Sequence, residues 1–265
     1  MDWSKFLYFM LPAVLLWIIG GIGVLTKSRI QKSAVLFYSL GIVLILIFAI
    51  GLWLTLGRPP LRTMGETRLW YSIYISIAGL FVYVKWKYKW MLGYSAAMAT
   101  MFLMLICVFP DVQNKNLMPA LQSPWFVPHV SVYIISYALM GVATVLGIRG
   151  LIIYKSGNSI PDTYTQRIDR MVYVGLGFLL LGLTMGALWA KTAWSNYWSW
   201  DPKETWAFIT CVIYLIFIHL RKSYPKLVRS SLIILTLAFI SLLITWKGVN
   251  YLPSARNSMH TYSQE

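Results

Sequence analysis

The feature that most constrains this chain is a series of apolar runs long enough to cross a bilayer. We count eight, at 6–25, 34–56, 69–84, 91–109, 129–153, 171–188, 202–220 and 230–246, the third of them short. A helix rises about 1.5 Å per residue, so about 20 residues cross a hydrocarbon layer about 30 Å thick. With 58% hydrophobic residues and a mean hydropathy of +0.66, the 265-residue chain reads as an integral membrane protein and not as a soluble fold around one core. The expected fold is all-α and polytopic, with about eight transmembrane helices in a single domain, 1–265. The first run carries no small-residue cleavage site, and its basic cluster follows it, so it is read as a span and not as a leader. No internal repeat or low-complexity segment is visible.

The net charge of +15 does not point to nucleic acid, because the cations fall in the gaps between apolar runs and read as topology signals. The first, third, fifth and seventh gaps, with Arg149 at the end of the fifth run, hold fourteen of the 23 Lys and Arg, and those gaps are short. They are expected on the cytoplasmic side. Both termini and the even-numbered gaps are then external. The two cysteines, Cys107 and Cys211, lie inside apolar runs, with no CxxC or CxxCH, so neither thiol redox chemistry nor covalent haem is carried by the chain itself.

The sixth, external gap opens the stretch WAKTAWSNYWSWDPKETW, 189–206, which runs into the start of the seventh span. The stretch holds Trp189, Trp194, Trp198, Trp200 and Trp206, with Tyr197, in a chain that is 12% charged. One or two such residues fit an interfacial belt; this density fits a surface for a large planar apolar ligand. Asp201-Pro202-Lys203-Glu204 reads as a helix start: Asp at the N-cap, Pro at the first position, Glu closing a capping box. Upstream, Trp194, Tyr197, Trp198 and Asp201 follow helical spacing, which predicts a short surface helix presenting one face. Lys191, Lys203 and Arg256 are external cations suited to anionic groups at a ligand's edge. In the second gap Pro59-Pro60 ends a helix, and Glu66 stands near the start of the next, where capping and a ligand role weigh about evenly.

There are three histidines. His129 stands at the external mouth of the fifth run, and His260 in the tail after the eighth. Two external imidazoles beside an aromatic platform could hold an iron porphyrin from its two faces. His219 lies 17 residues beyond Pro202, about 25 Å down the helix, near the cytoplasmic end. It cannot share that iron, and an interfacial histidine at a helix end weighs evenly against a metal ligand there.

Five stretches, AWSNYWSWDPKETWAFIT (193–210), IYLIFIHLR (213–221), GRPPLRTMGETRLWY (57–71), SPWFVPHVSVYIISYALMG (123–141) and GVNYLPSARNSMHTYS (248–263), carry a resemblance. The chain resembles the tryptophan-rich (WWD-motif, system II) haem-handling membrane proteins of cytochrome c biogenesis, most closely the CcsA/ResC type. The resemblance implies delivery of haem b, as substrate, to the outer membrane face and its covalent attachment to the CxxCH of apocytochrome c. It assigns external iron ligation to His129 and His260, a transmembrane ligand to His219, and the motif to Trp194, Trp198, Trp200 and Asp201. It implies a separate ResB-like (CcsB) partner and a place in the bacterial cytoplasmic membrane, ahead of the thylakoid membrane. Ser195 stands where the family has glycine, Cys211 where tryptophan is expected, and SARNSM precedes His260 in place of a glycine-containing run. No residue need act as a nucleophile, since positioning carries the chemistry. The alternatives are a haem exporter loading a haem chaperone and a membrane b-type cytochrome; the second needs paired histidines at one depth.

Overall fold

The structure, a computed structural model, describes residues 1–26, 28–109 and 123–253. Among these residues the regular elements are helical and there is no strand. The eight long helices are α1 (Phe6–Gly23), α2 (Ser28–Leu56), α3 (Met64–Trp86), α4 (Trp90–Val108), α5 (Phe126–Lys155), α6 (Asp162–Trp194), α7 (Pro202–Ser223) and α8 (Val228–Trp246). Each is long and apolar enough to span a bilayer, so the chain is an all-α multi-pass membrane protein. Its contacts group into two compact units, Met1–Asn116 and Leu117–Glu265.

In the first unit α1 packs against α2 and α4, and α3 against α4. The core is aromatic: Trp17, Tyr38, Phe48 and Tyr71 are fully covered. Tyr38 Oη and Ser95 Oγ share a hydrogen bond of 2.7 Å that pins α2 to α4. Arg68 is buried and donates to the Leu105 carbonyl at 3.0 Å.

In the second unit α5 packs against α6 and α8, and α7 against α8. Two side chains of α5 reach carbonyls of α6: His129 to Gly182 at 2.7 Å, and Ser136 to Gly175 at 2.8 Å. The donors and the acceptors are each seven residues apart, so one antiparallel register holds along the pair. Thr210 of α7 meets Ser241 and Thr245 of α8 at 2.8 and 3.0 Å. Arg221 of α7 grips Asp169 of α6 with three bonds of 3.0 to 3.3 Å.

All eight expected spans are present, and α6 departs most from its expected bounds. It begins at Asp162 and runs to Trp194, because the polar DTYTQRIDR segment winds as helix before the apolar run starts. Hydropathy reads only the middle of such an element.

Candidate functional site

The tryptophan stretch is two structures joined by a sharp turn. Trp189 and Trp194 belong to the last turns of α6, and Ser195 ends that helix in the left-handed region at φ 64°. Residues 195–201 are irregular, and Trp200 is also left-handed at φ 58°. The expected short helix through Trp194, Tyr197, Trp198 and Asp201 is therefore absent: the helical spacing there is interrupted by the αL residue. A side chain in that conformation costs about 1–2 kcal/mol, which glycine avoids, and this is the physical content of a glycine usually standing where this chain has Ser195.

The second half behaves as its sequence predicts. α7 starts at Pro202, and Asp201 and Glu204 close a capping box. Asp201 accepts from the Lys203 N–H at 3.1 Å. Glu204 Oε2 accepts from the N–H of Ser199 at 2.8 Å and of Asp201 at 3.2 Å. Both carboxylates are buried, at 7% and 8% exposure. The glutamate thus fastens the irregular segment to the helix it introduces.

His129 sits in the first turn of α5. Its Nδ1 lies 2.7 Å from the Gly182 carbonyl oxygen. A carbonyl only accepts, so Nδ1 carries the proton and the neutral ring keeps its lone pair on Nε2. That tautomer is the one a metal ligand needs, with the acceptor already supplied. The imidazole stacks on Trp189 at 5.6 Å and 26°, and meets Tyr133 edge-on at 4.6 Å. Trp189 in turn touches Phe126 at 5.3 Å and Trp194 at 5.0 Å. The ring lies flat against α6 because Gly186 has no side chain: a Cβ there would stand 2.6 Å from His129 Cε1 and 2.8 Å from Nδ1. Gly182, one turn earlier, makes the same room for Tyr133. Sequence reasoning found the histidine and the tryptophan but missed these glycines.

Trp198 and Trp200 form a second pair, edge to face at 5.7 Å, and Trp200 continues onto Phe208 at 5.9 Å. Trp200 is 63% exposed. The indole Nε1 of Trp198 is buried and meets no acceptor among the described residues. Tyr197 is exposed, and Lys191 both donates to the Ser195 carbonyl at 2.8 Å and lies 5.3 Å over the Tyr197 ring. Trp206 is half-buried in the first turns of α7, and its carbonyl accepts from Thr210 at 2.8 Å.

His219 lies on the exposed face of α7, in line with Phe208, Val212, Leu215 and Ile216, at the end away from the tryptophan segment. Its exposure leaves it facing away from the core of its own unit. His260 and Arg256 fall outside the described residues.

Glu66 belongs to the first unit, where it is 1% exposed. Arg58 grips both its oxygens at 3.0 and 3.1 Å, and the N–H groups of Arg62 and Thr63 add bonds of 2.6 and 3.1 Å. Thr63 completes a capping box at the start of α3. Partial burial, then the neighbouring Arg58, lowers the Arg62 pKa, and the Glu66 charge opposes the shift. The capping half of the expectation for Glu66 is thus realised, with the carboxylate ordering the α2–α3 loop.

The cytochrome c assembly protein family matches residues 61–255. The cytochrome c biogenesis protein CcsA of Prochlorococcus marinus is 31% identical over 85% of this chain and 82% of its own length. That of Atropa belladonna is 29% identical over 80% of each. That of Chlamydomonas reinhardtii is 38% identical over 57% of this chain, but only 44% of its own length is matched. A solved cytochrome c haem lyase, CcmF, shares the fold with a TM-score of 0.65 at 16% identity, over 91% of this chain and 45% of that one.

Proposed function

The chain belongs to the cytochrome c assembly protein family, and from that premise we propose that it holds haem at the outer membrane face for attachment to apocytochrome c. It is of the CcsA type, a multi-pass membrane protein of cytochrome c biogenesis. The observation that carries the finer reading is the fixed tautomer of His129, its lone pair on Nε2, stacked on Trp189 within the tryptophan stretch.

In this reading Nε2 of His129 takes one face of the iron and His260 the other. Trp194, Trp198 and Trp200 supply flat apolar contact for haem b, and the buried N–H of Trp198 supplies a donor. Asp201 and Glu204 hold the segment in shape. Apocytochrome presents its CxxCH, whose thiols add across the haem vinyl groups: each C–S bond forms as the thiol proton passes to the neighbouring vinyl carbon. The protein's share is placement and exclusion of water. His219, on the outward face of α7, is offered to a ResB-like partner that completes a second haem contact near the cytoplasmic end. The membrane is proposed to be the bacterial cytoplasmic membrane.

The test is co-expression with a ResB-like protein and a reporter apocytochrome, in a host lacking its own maturation machinery. His129→Ala lowers covalently attached haem about ten-fold or more, and added imidazole restores part of it. Attachment at the wild-type level in both His129→Ala and His260→Ala would overturn the proposal.

A further inference from the structure

Cations mark one end of each unit, but the two units treat them differently. In the second unit the first turns of α6 carry Asp162 and Asp169 among Arg167 and Arg170, and Arg221 is consumed by its clasp on Asp169. In the first unit the sequence from 24 to 36 and from 81 to 94 has no acidic residue at all. A positive-inside signal alone would be met by either arrangement. The sequence around Lys32, Lys85, Lys87 and Lys89 supplies no local carboxylate.

Those lysines are built into a short reverse turn. α3 ends at Trp86 and α4 starts at Trp90, so the segment Lys85-Trp86-Lys87-Tyr88-Lys89-Trp90 alternates cation and ring across the turn. Lys85, Lys87 and Lys89 are exposed, whereas Trp86, Tyr88 and Trp90 are half-buried. Trp86 packs edge-on against Phe81 at 6.2 Å and lies 6.3 Å from Tyr88. The turn is made by Lys87 in the left-handed region at φ 61°, with its ammonium 5.7 Å from the Tyr83 ring. Lys32, exposed in the first turns of α2, stands at the same end, because successive helices of this unit are joined by short connections and reverse direction.

Aromatic rings at the depth of the headgroups, with ammonium groups above them, match the two layers of an anionic lipid surface. We infer that the α3–α4 turn, with Lys32, is a binding surface for anionic phospholipid headgroups. The rings fix the depth, and the lysines meet the phosphates. Each lysine held near such a surface gives about a five-fold preference for anionic over zwitterionic lipid, so the three turn lysines together give on the order of a hundred-fold at low salt.

The test is native mass spectrometry of lipids retained by the full chain, purified from membranes and exchanged into mixed micelles of phosphatidylglycerol and phosphatidylcholine. Wild type retains phosphatidylglycerol selectively, and raising salt from about 0.05 to about 0.5 M releases it. Lys85→Gln/Lys87→Gln/Lys89→Gln loses that selectivity, while Lys155→Gln/Arg167→Gln at the other unit keeps it. Inorganic phosphate as competitor separates a phosphate-only site from a lipid surface: displacement at equimolar phosphate would overturn the lipid reading. Equal retention of the two lipids by wild type, which needs no variant to insert or fold, overturns the inference. So does unchanged selectivity in the triple variant.

Discussion

Gly186→Ala puts one methyl group where the imidazole of His129 now lies. The new carbon would stand 2.6 Å from Cε1 and 2.8 Å from Nδ1, against an ordinary contact of about 3.5–4 Å. The ring must retreat by about 1 Å or rotate off its rotamer, and its 2.7 Å bond to Gly182 does not survive the move. Losing that bond costs about 1 kcal/mol, and an off-rotamer χ angle another 0.5–1.5. The sum is within the range of about 1–3 kcal/mol for overpacking a buried contact. With Nδ1 no longer committed to a carbonyl, the lone pair is no longer restricted to Nε2. Haem retained by the purified variant should fall about ten- to a hundred-fold, its low-spin spectrum should weaken, and imidazole should restore it. Gly177→Ala, at a position where a Cβ meets nothing, is the matched control. A wild-type spectrum in Gly186→Ala, or an equal loss in Gly177→Ala, would refute the reasoning.

Three further outcomes are expected. Ser195→Gly relieves the left-handed turn at φ 64° and should raise thermal stability by about 0.5 kcal/mol, seen as a higher unfolding midpoint in detergent; a lower midpoint would contradict the strain. Glu204→Ala removes the acceptor for the Ser199 and Asp201 N–H groups, at a cost of about 1–2 kcal/mol, and should expose residues 195–201 to limited proteolysis; an unchanged cleavage pattern counts against its fastening role. Glu66→Ala strands Arg58 and two backbone donors, and should cost about 3 kcal/mol, read as a lower unfolding midpoint that Arg58→Ala in the same chain partly restores; no restoration would mean that the pair is not the main term.

What the sequence disclosed follows from what each signal measures. Spans show themselves through hydropathy, and Asp201-Pro202-Lys203-Glu204 and Thr63 to Glu66 through chemistry that few other local structures use. The irregular path of 195–201 had no such sign, because Ser195 lacks the glycine that would mark a left-handed residue while the tryptophan spacing imitates a helix. The notch at Gly182 and Gly186 was also hidden. Glycines are common in membrane helices, and only a facing helix gives one of them meaning. The outward face of His219 could not be read from periodicity, since in lipid both the packed and the unpacked sides of α7 are apolar.

The clasp between Asp169 and Arg221 has a consequence at the opposite end of the two helices it joins. From Asp169 to Trp194, α6 rises about 38 Å, and from Pro202 to Arg221, α7 returns about 29 Å. With that axial mismatch of about 9 Å and a lateral helix separation of about 8–10 Å, residues 195–201 must cover about 13 Å, whereas seven extended residues reach about 23 Å. The tryptophan segment is therefore a slack closure on a pinned loop. Its surplus length is folded into the left-handed residues Ser195 and Trp200. An ion pair far from the rings sets how much length they have to arrange: releasing it lets α6 slide against α7, and each residue of slip transfers about 1.5 Å between helix and loop.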